Sequence, residues 1–398
     1  MKRTPLIVVA GQQMTDDVCE ILSQAPGTIV VRHRLDGHVV VRTVTIIRNG
    51  EPHTTQWPME ITGCCVSCTV REDLLVLLRR LHRREDVERI VVHLQEWLEP
   101  EPVCWAINNV AVRVGPGYSD GPAARDVRIE AVVSTVDVTQ WLTQSLGDDI
   151  LDDERTVAQV VVGQAEFADV LVLTGAQDRA ASVLRRLAPR ALRLAGPALL
   201  ESALSSLSRA ARRGREHDAH EALLAGEPPL DADGDIQLVD FSADRPFHPM
   251  RLHLAIDVLL DGVVRIRGRA WLASQPDAVV WIESAGGGLH VGHAGDWLAA
   301  SQPHADGFAD PERVTWAGLR WNDRFGDRHI SMTALVCGAD PTTITNALAG
   351  ALLTDDELAR PQDWPGYPDP FGDWHEDPCD EFDTADDITR RHRGDETP

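Results

Sequence analysis

Short apolar runs separated by helical stripes dominate the first half of the chain. Residues 6–10, 29–31, 39–47, 90–94, 129–136 and 170–174 read as strands, and several are apolar at every position, as strands covered on both faces are. Between them Leu74, Leu77, Leu78 and Leu81 fall on one stripe of a helix. The alternation predicts an α/β domain with a mostly parallel sheet over residues 1–209. The pattern then breaks: residues 210–235, with Glu227-Pro228-Pro229, are polar and read as a linker. Beyond it, strands at 236–241, 263–272, 279–283 and 329–337 surround a helix near 252–260. Asp340-Pro341, a cap followed by proline in the first helical position, opens another helix that runs to about Leu353. These elements predict a smaller α+β domain over 236–358. Residues 359–398 turn acidic and rich in proline and tryptophan, and are expected to be an extended tail.

Charge narrows the function classes. With 62 acidic against 38 basic residues the chain carries −24, which repels nucleic acid, DNA included, and anionic membranes as a whole. No apolar run approaches the ~20 residues of a membrane span. The run at 6–10 follows Lys2-Arg3 but is cut short by Gly11-Gln12-Gln13, so it reads as a first strand rather than an export signal, and a cytoplasmic location is expected. Lys2 is the one lysine, so chemistry that needs an interior lysine is excluded, including the phosphate-gripping lysine of GxxxxGK[ST]. Residues 179–215 hold nine arginines against one acid, Glu201. They read first as the solvated faces of helices whose leucines turn inward, and second as a phosphate-docking patch.

The seven cysteines are an odd number, and Cys64, Cys65 and Cys68 crowd into five positions, which points to metal or redox chemistry rather than a disulfide framework. Cys65-x-x-Cys68 has the spacing of structural zinc sites, with Cys64 as a third thiolate and Zn²⁺ as the expected ion. His93, leaving its strand, is the first choice for a further ligand, followed by His33 and His38. Two other readings stay open: a redox pair, given Arg71 and a helix starting near Glu72, and a buried remnant without a ligand. His375 and Cys379 read as solvated tail, His248 as a packed or capping histidine, and Trp271, Trp281 and Trp297 as core or interface aromatics. No Ser-His-Asp, HExxH or GxGxxG arrangement occurs, so no catalytic residue is assigned.

Arg245-Pro246-Phe247-His248-Pro249, then Gly268-Arg269-Ala270-Trp271-Leu272, Ala285-Gly286-Gly287-Gly288, Trp297, Gly326-Asp327-Arg328 and Leu353-Thr354-Asp355-Asp356-Glu357-Leu358 stand in the order of the C-terminal domain of CobW-type proteins, which this half resembles. Gly63-Cys64-Cys65-Val66-Ser67-Cys68-Thr69-Val70-Arg71 resembles the GCxCCTxR loop of the same CobW/HypB/UreG-like metallochaperone GTPases. The stretch from Val133 to Asp137 is similar to their VVxxVD strand, and the one from Ala168 to Thr174 to their ADxxxLN segment. The resemblance, covering about residues 4 to 372, implies a P-loop-NTPase-like domain followed by a CobW C-terminal domain.

Each nucleotide motif departs from the family pattern. Gly11-Gln12-Gln13-Met14-Thr15-Asp16-Asp17 stands where GxxxxGKT belongs, His93 where a glutamate follows the next strand, and Thr174-Gly175-Ala176-Gln177 where NKxD reads guanine. The resemblance therefore implies a degenerate site, with no nucleotide expected. The Cys65-Val66-Ser67-Cys68 variant and the motif Asp-Pro-Phe-Gly-Asp-Trp-His at 369–375 look like an actinobacterial branch induced in zinc starvation. That likeness implies a non-enzymatic adaptor that binds ribosomes, the small subunit first, and recruits a hibernation-promoting factor. The alternative is a GTP-binding zinc metallochaperone like the rest of the family.

Overall fold

The structure, a computed structural model, describes residues 3–61, 66–215, 226–300 and 311–372, without the side chains of 66, 67, 311 and 312. Cys64, Cys65, His375 and Cys379 lie outside the described residues.

Six strands run parallel: β1 (Thr4–Gly11), β2 (Thr28–Asp36), β5 (Arg89–His93), β6 (Val127–Asp137), β7 (Val170–Thr174) and β8 (Leu192–Ala195). Their order is β2-β5-β1-β6-β7-β8, and β3 (Val39–Arg48) and β4 (Glu51–Glu60) fold back antiparallel beyond β2. Leu6, Val8 and Ala10 of β1 face α2 (Val66–Leu81) and α3 (Pro100–Asn109), while Ile7 and Val9 face α1 (Thr15–Ser23) and α7 (Leu200–Ser205). Both faces are covered, which is why β1 is apolar throughout.

A five-stranded antiparallel sheet follows, ordered β12-β11-β10-β13-β9. It comprises β9 (Ile236–Ala243), β10 (Val263–Ala270), β11 (Ala278–Ala285), β12 (Gly288–Asp296) and β13 (Ile330–Cys337). Its core includes α8 (Pro249–Leu260) and α10 (Pro341–Ala351). Asp340 caps α10 as expected, accepting from the backbone N–H of Thr342 and Thr343. The helix α9 (Pro311–Arg320) precedes β13, and α11 (Asp355–Leu358) follows α10.

The two domains share an apolar cluster, in which α4 (Val138–Ser145), α5 (Val157–Glu166) and α6 (Asp178–Leu187) meet Val264, Ala285 and Leu335 of the second sheet. Beside it Gly286, at φ +50°, brings its backbone so close that a Cβ would lie 2.5 Å from the Gly147 carbonyl oxygen. No side chain fits that turn.

Two stretches depart from the expectations. Glu51–Glu60, mostly polar and broken by two prolines, gave no strand signal, yet it pairs along its whole length with β3 as an edge strand exposed at nearly every residue. Pro52 and Pro58, which lack the N–H a further strand would need, are the kind of residue that blunts such an edge. The acidic tail, expected to be extended from 359, instead packs as far as Phe371. A 3₁₀ turn at Pro361–Gly366 buries Trp364, whose indole N–H donates to the Glu357 carbonyl at 2.9 Å and whose ring meets Trp271 edge-on. Asp363 faces water and Asp369 accepts from Ser274 and Gln275, while Trp364 and Phe371 enter the core, a division that average composition hides. Among the described residues no helix is long and apolar enough to cross a membrane.

Candidate functional site

In an open parallel sheet, ligands bind beyond the carboxyl ends of the strands where the chain reverses its winding. Here that crevice is formed by the ends of β1, β5, β6 and β7, namely Gly11, His93, Asp137 and Thr174. Gly11, at φ +128°, lies against Thr135 so tightly that a Cβ would be 2.6 Å from the Thr135 carbonyl oxygen. The loop after β1 then turns across the crevice. Gln12 Nε2 donates to Gln164 Oε1 at 2.6 Å and to the Glu96 carbonyl at 3.3 Å. The buried Gln164 uses its own amide nitrogen on the carbonyls of Glu96 and Leu98, both at 2.8 Å. The loops after β1 and β5 and the last turn of α5 are thus tied together by side chains.

Met14, in the left-handed region at φ 58°, precedes α1 without a side-chain cap, and Asp16 and Asp17 occupy the first turn. Negative charge there already complements the helix dipole that would otherwise favour a phosphate. Arg32 of β2 bonds to Asp16, and its Nε donates to His93 Nδ1 at 3.0 Å. Burial first, and then the Arg32 cation, push His93 down to about 4 against the opposing pull of Asp16. The ring is therefore neutral near pH 7, with the Nδ1 lone pair given to Arg32 and the proton on Nε2. A lone pair so engaged is not offered to a metal while Arg32 stays in place. The loop after β1 carries no lysine, and the carboxylates of Asp16 and Asp17 stand in the first turn of the helix that follows it. At the guanine-reading position Gln177 starts α6 with no capping bond and a buried Oε1 that has no partner.

The other expected ligands are dispersed. Cys68 is buried in the first turn of α2. His33 Nε2 lies 2.7 Å from Asp73 of α2, which also takes Arg42 at 2.6 Å, and His38 is exposed in the β2–β3 turn. Among the described residues no three His, Cys, Asp or Glu side chains converge as a metal site. Burial pushes the thiol of Cys19, on α1, up to about 12, so it is not a reactive thiolate. His248 does not cap its helix; its ring stacks on Tyr367 at 4.7 Å.

The arginine-rich stretch is mostly exposed: Arg179, Arg185, Arg190, Arg193, Arg209 and Arg215 face water, Arg212 and Arg213 are half-buried, and one of the nine lies inside. Arg186 is buried and bonded to Ser182 and to the Asp231 carbonyl. Arg213 is held by Asp169 and the Glu130 carbonyl, and Arg212 lies over the Phe167 ring. Arg179 and Arg185 pair with Asp235 and Asp233. The first reading, solvated helices with inward leucines, agrees with the exposed arginines and the buried Leu184 and Leu187; the buried Arg186 is what it missed.

Two features escaped sequence reasoning. One is the Gln12–Gln164 closure, since two glutamines 152 positions apart carry no motif. The other is Glu166, two residues further along α5, which is almost fully buried and forms ion pairs with Arg265, 3.0 Å from its Nε, and Arg267 at 2.5 Å, both from β10. That network borders a cavity of about 380 Å³ between the domains, with Trp281 and Glu283 on its wall.

Comparison with known proteins places these features. Residues 35–196 match the CobW/HypB/UreG nucleotide-binding domain, and residues 236–352 match the cobalamin synthesis protein cobW C-terminal domain. A Mycobacterium tuberculosis protein named a zinc chaperone is 60% identical over 391 residues, 98% of each chain. A zinc-regulated GTPase metalloprotein activator from Dictyostelium discoideum is 25% identical over 341 residues, covering 79% of this chain and 70% of its own. The Zn(II)-bound YjiA GTPase of E. coli aligns over 89% of this chain and 100% of its own at 15% identity, with a TM-score of 0.38, and no conclusion is drawn from that likeness.

Proposed function

This chain belongs to the CobW/HypB/UreG family, and from that premise we propose that it serves zinc homeostasis as a non-hydrolysing adaptor, which binds the small ribosomal subunit and brings a hibernation-promoting factor to it when zinc is scarce. The observation that carries the loss of hydrolysis is the closed loop after β1. Gln12 reaches across to Gln164, Asp16 holds Arg32, and no lysine is present to grip a phosphate. A triphosphate bound there would meet two carboxylates in the first turn of α1 and would have to break the glutamine pair. The zinc side of the reading rests on the relative named a zinc chaperone and on the sequence spacing Cys65-x-x-Cys68. The ribosome and the hibernation factor rest on the likeness of residues 65–68 and 369–375 to the zinc-starvation branch.

Two measurements test this reading. GTP with Mg²⁺ is expected to give no thermal stabilisation, whereas a ligand at 100 times its Kd would add about 2.7 kcal/mol. The protein should sediment with ribosomes from zinc-starved cells. A clear shift with GTP and not ATP, together with turnover, overturns the adaptor and leaves the second reading, a GTP-binding zinc metallochaperone. That reading is favoured by the 60% identity, over nearly the whole chain, to the protein named a zinc chaperone.

A further inference from the structure

Arginines far apart in sequence converge on one outward face at the opposite end of the sheet from the crevice. The segment 112–128, which leads into β6, is their common support. Arg3, ahead of β1, donates to the Ala124 carbonyl at 3.2 Å. Arg80 of α2 donates to the Val114 carbonyl at 3.4 Å, and Arg83, just past that helix, bonds to the Gly117 carbonyl and lies 3.5 Å over the Tyr118 ring. Arg125 donates to Ser119 Oγ at 3.3 Å. Arg113 and Arg128 are 71% and 51% exposed and pair only loosely with Asp120 and Glu130. Behind them the buried Arg79 holds the segment in shape through Asp126 at 2.8 Å and the Gly121 carbonyl at 3.1 Å. The face thus sets six exposed arginines beside Asp120 and Glu130, with Arg79 and Asp126 paired behind them, in a chain whose net charge is −24; of the exposed Glu85 and Asp86 that follow Arg83, Asp86 is taken up by Arg84 and Arg48.

We propose that this face binds the phosphate backbone of structured RNA and, resting on the adaptor reading above, that it is where the protein meets ribosomal RNA. The carbonyl anchors take one or two of the five N–H groups of each guanidinium and leave the rest turned to solvent, pre-positioned for phosphate oxygens. No large apolar side chain is exposed on this face among the described residues, all such residues lying elsewhere. A protein partner would want an apolar centre to its interface, while a phosphate backbone needs none. Because the face lies at the amino ends of β1 and β6, contact with RNA leaves the crevice at the carboxyl ends of the strands uncovered.

The test is binding to a short RNA duplex and to ribosomes as salt is raised from about 50 to 200 mM. The wild-type chain is compared with a variant carrying Arg80→Glu, Arg113→Glu, Arg125→Glu and Arg128→Glu. Four phosphate contacts predict that wild-type affinity falls about 100-fold over that range. The variant should lose about 100-fold at the low end and show a flattened salt dependence. A paired variant, Arg113→Glu with Arg128→Glu, disturbs only exposed side chains and serves if the fourfold change alters melting. A folded variant that binds RNA as the wild type does, or a wild type that binds acidic polypeptide and no RNA, overturns the proposal. Failure of the wild type to sediment with ribosomes overturns the adaptor reading instead; the RNA face then stands if duplex binding is lost in the variant.

Discussion

Glu166→Gln probes the joint between the domains with hardly any change of shape. The Glu166 side chain is 8% exposed, and those of Arg265 and Arg267 are 15% exposed. Replacing the carboxylate by an amide leaves Arg267 without its closest counter-charge, and turns an NH₂ group towards two guanidiniums. Arg265 keeps Glu283 at 3.1 Å. Breaking one partner of a buried pair costs about 3–5 kcal/mol, and the surviving Glu283 contact places the expected loss at the lower end, about 3 kcal/mol. At about 2–4 °C per kcal/mol for a domain of 150–250 residues, the melting temperature should fall by about 6–12 °C. Scanning calorimetry is the suitable assay, because it also shows whether the domains melt together or apart. Glu283→Gln, at a side chain 30% exposed, is the graded control and should cost about 1 kcal/mol. A fall of less than about 2 °C for Glu166→Gln would mean that water, not the arginines, solvates this carboxylate, and that the ion pairs do not hold the joint.

Acid should loosen the fold before most carboxylates titrate. Burial is the leading cause that lowers both His93 and His329 from 6.5 to about 4, so the unfolded chain takes up these protons first. Stability is then complete above about pH 6.5 and is lost as pH falls towards 4, at up to about 1.4 kcal/mol per pH unit for each histidine. Urea titrations between those limits should show the slope, and His93→Gln should remove part of it; an unchanged slope refutes the assignment. Purified protein should hold about one Zn²⁺, lost in the Cys65→Ser, Cys68→Ser double variant, as read by metal analysis. Equal zinc in both would mark these cysteines as remnants.

The parallel sheet was legible because strands covered on both faces are rich in apolar residues: 6–10 is apolar at every position, and 90–94 and 129–136 are mostly so. Asp340-Pro341 announced its helix for an equally local reason. What stayed hidden depends on partners distant in sequence. Trp364 and Phe371 sit among acids that mark the segment as solvated, and only the aromatic core around Trp271 explains why they are buried. His93 was singled out as a metal ligand from its place at the end of a strand, but its neighbour across the sheet, Arg32, decides what its lone pair does. The dense run of arginines at 179–215 drew notice, yet Arg186 is buried and Arg179 and Arg185 are paired with Asp235 and Asp233. The exposed cationic face is assembled from Arg3, Arg80, Arg83, Arg113, Arg125 and Arg128, no window of which is unusual.

Gln164 and Glu166 stand on the same turn of α5, one clamped to the loop after β1 and the other to β10. A helix is stiff along its axis, so whatever displaced the loop would be delivered to the second sheet almost undiminished. In this chain the clamps are its own side chains, and no visiting molecule is needed to close them. A lever bolted at both ends has a single setting and carries no message in its position. On the adaptor reading, the message then resides in the number of copies, and the cell would govern this protein by making and removing it.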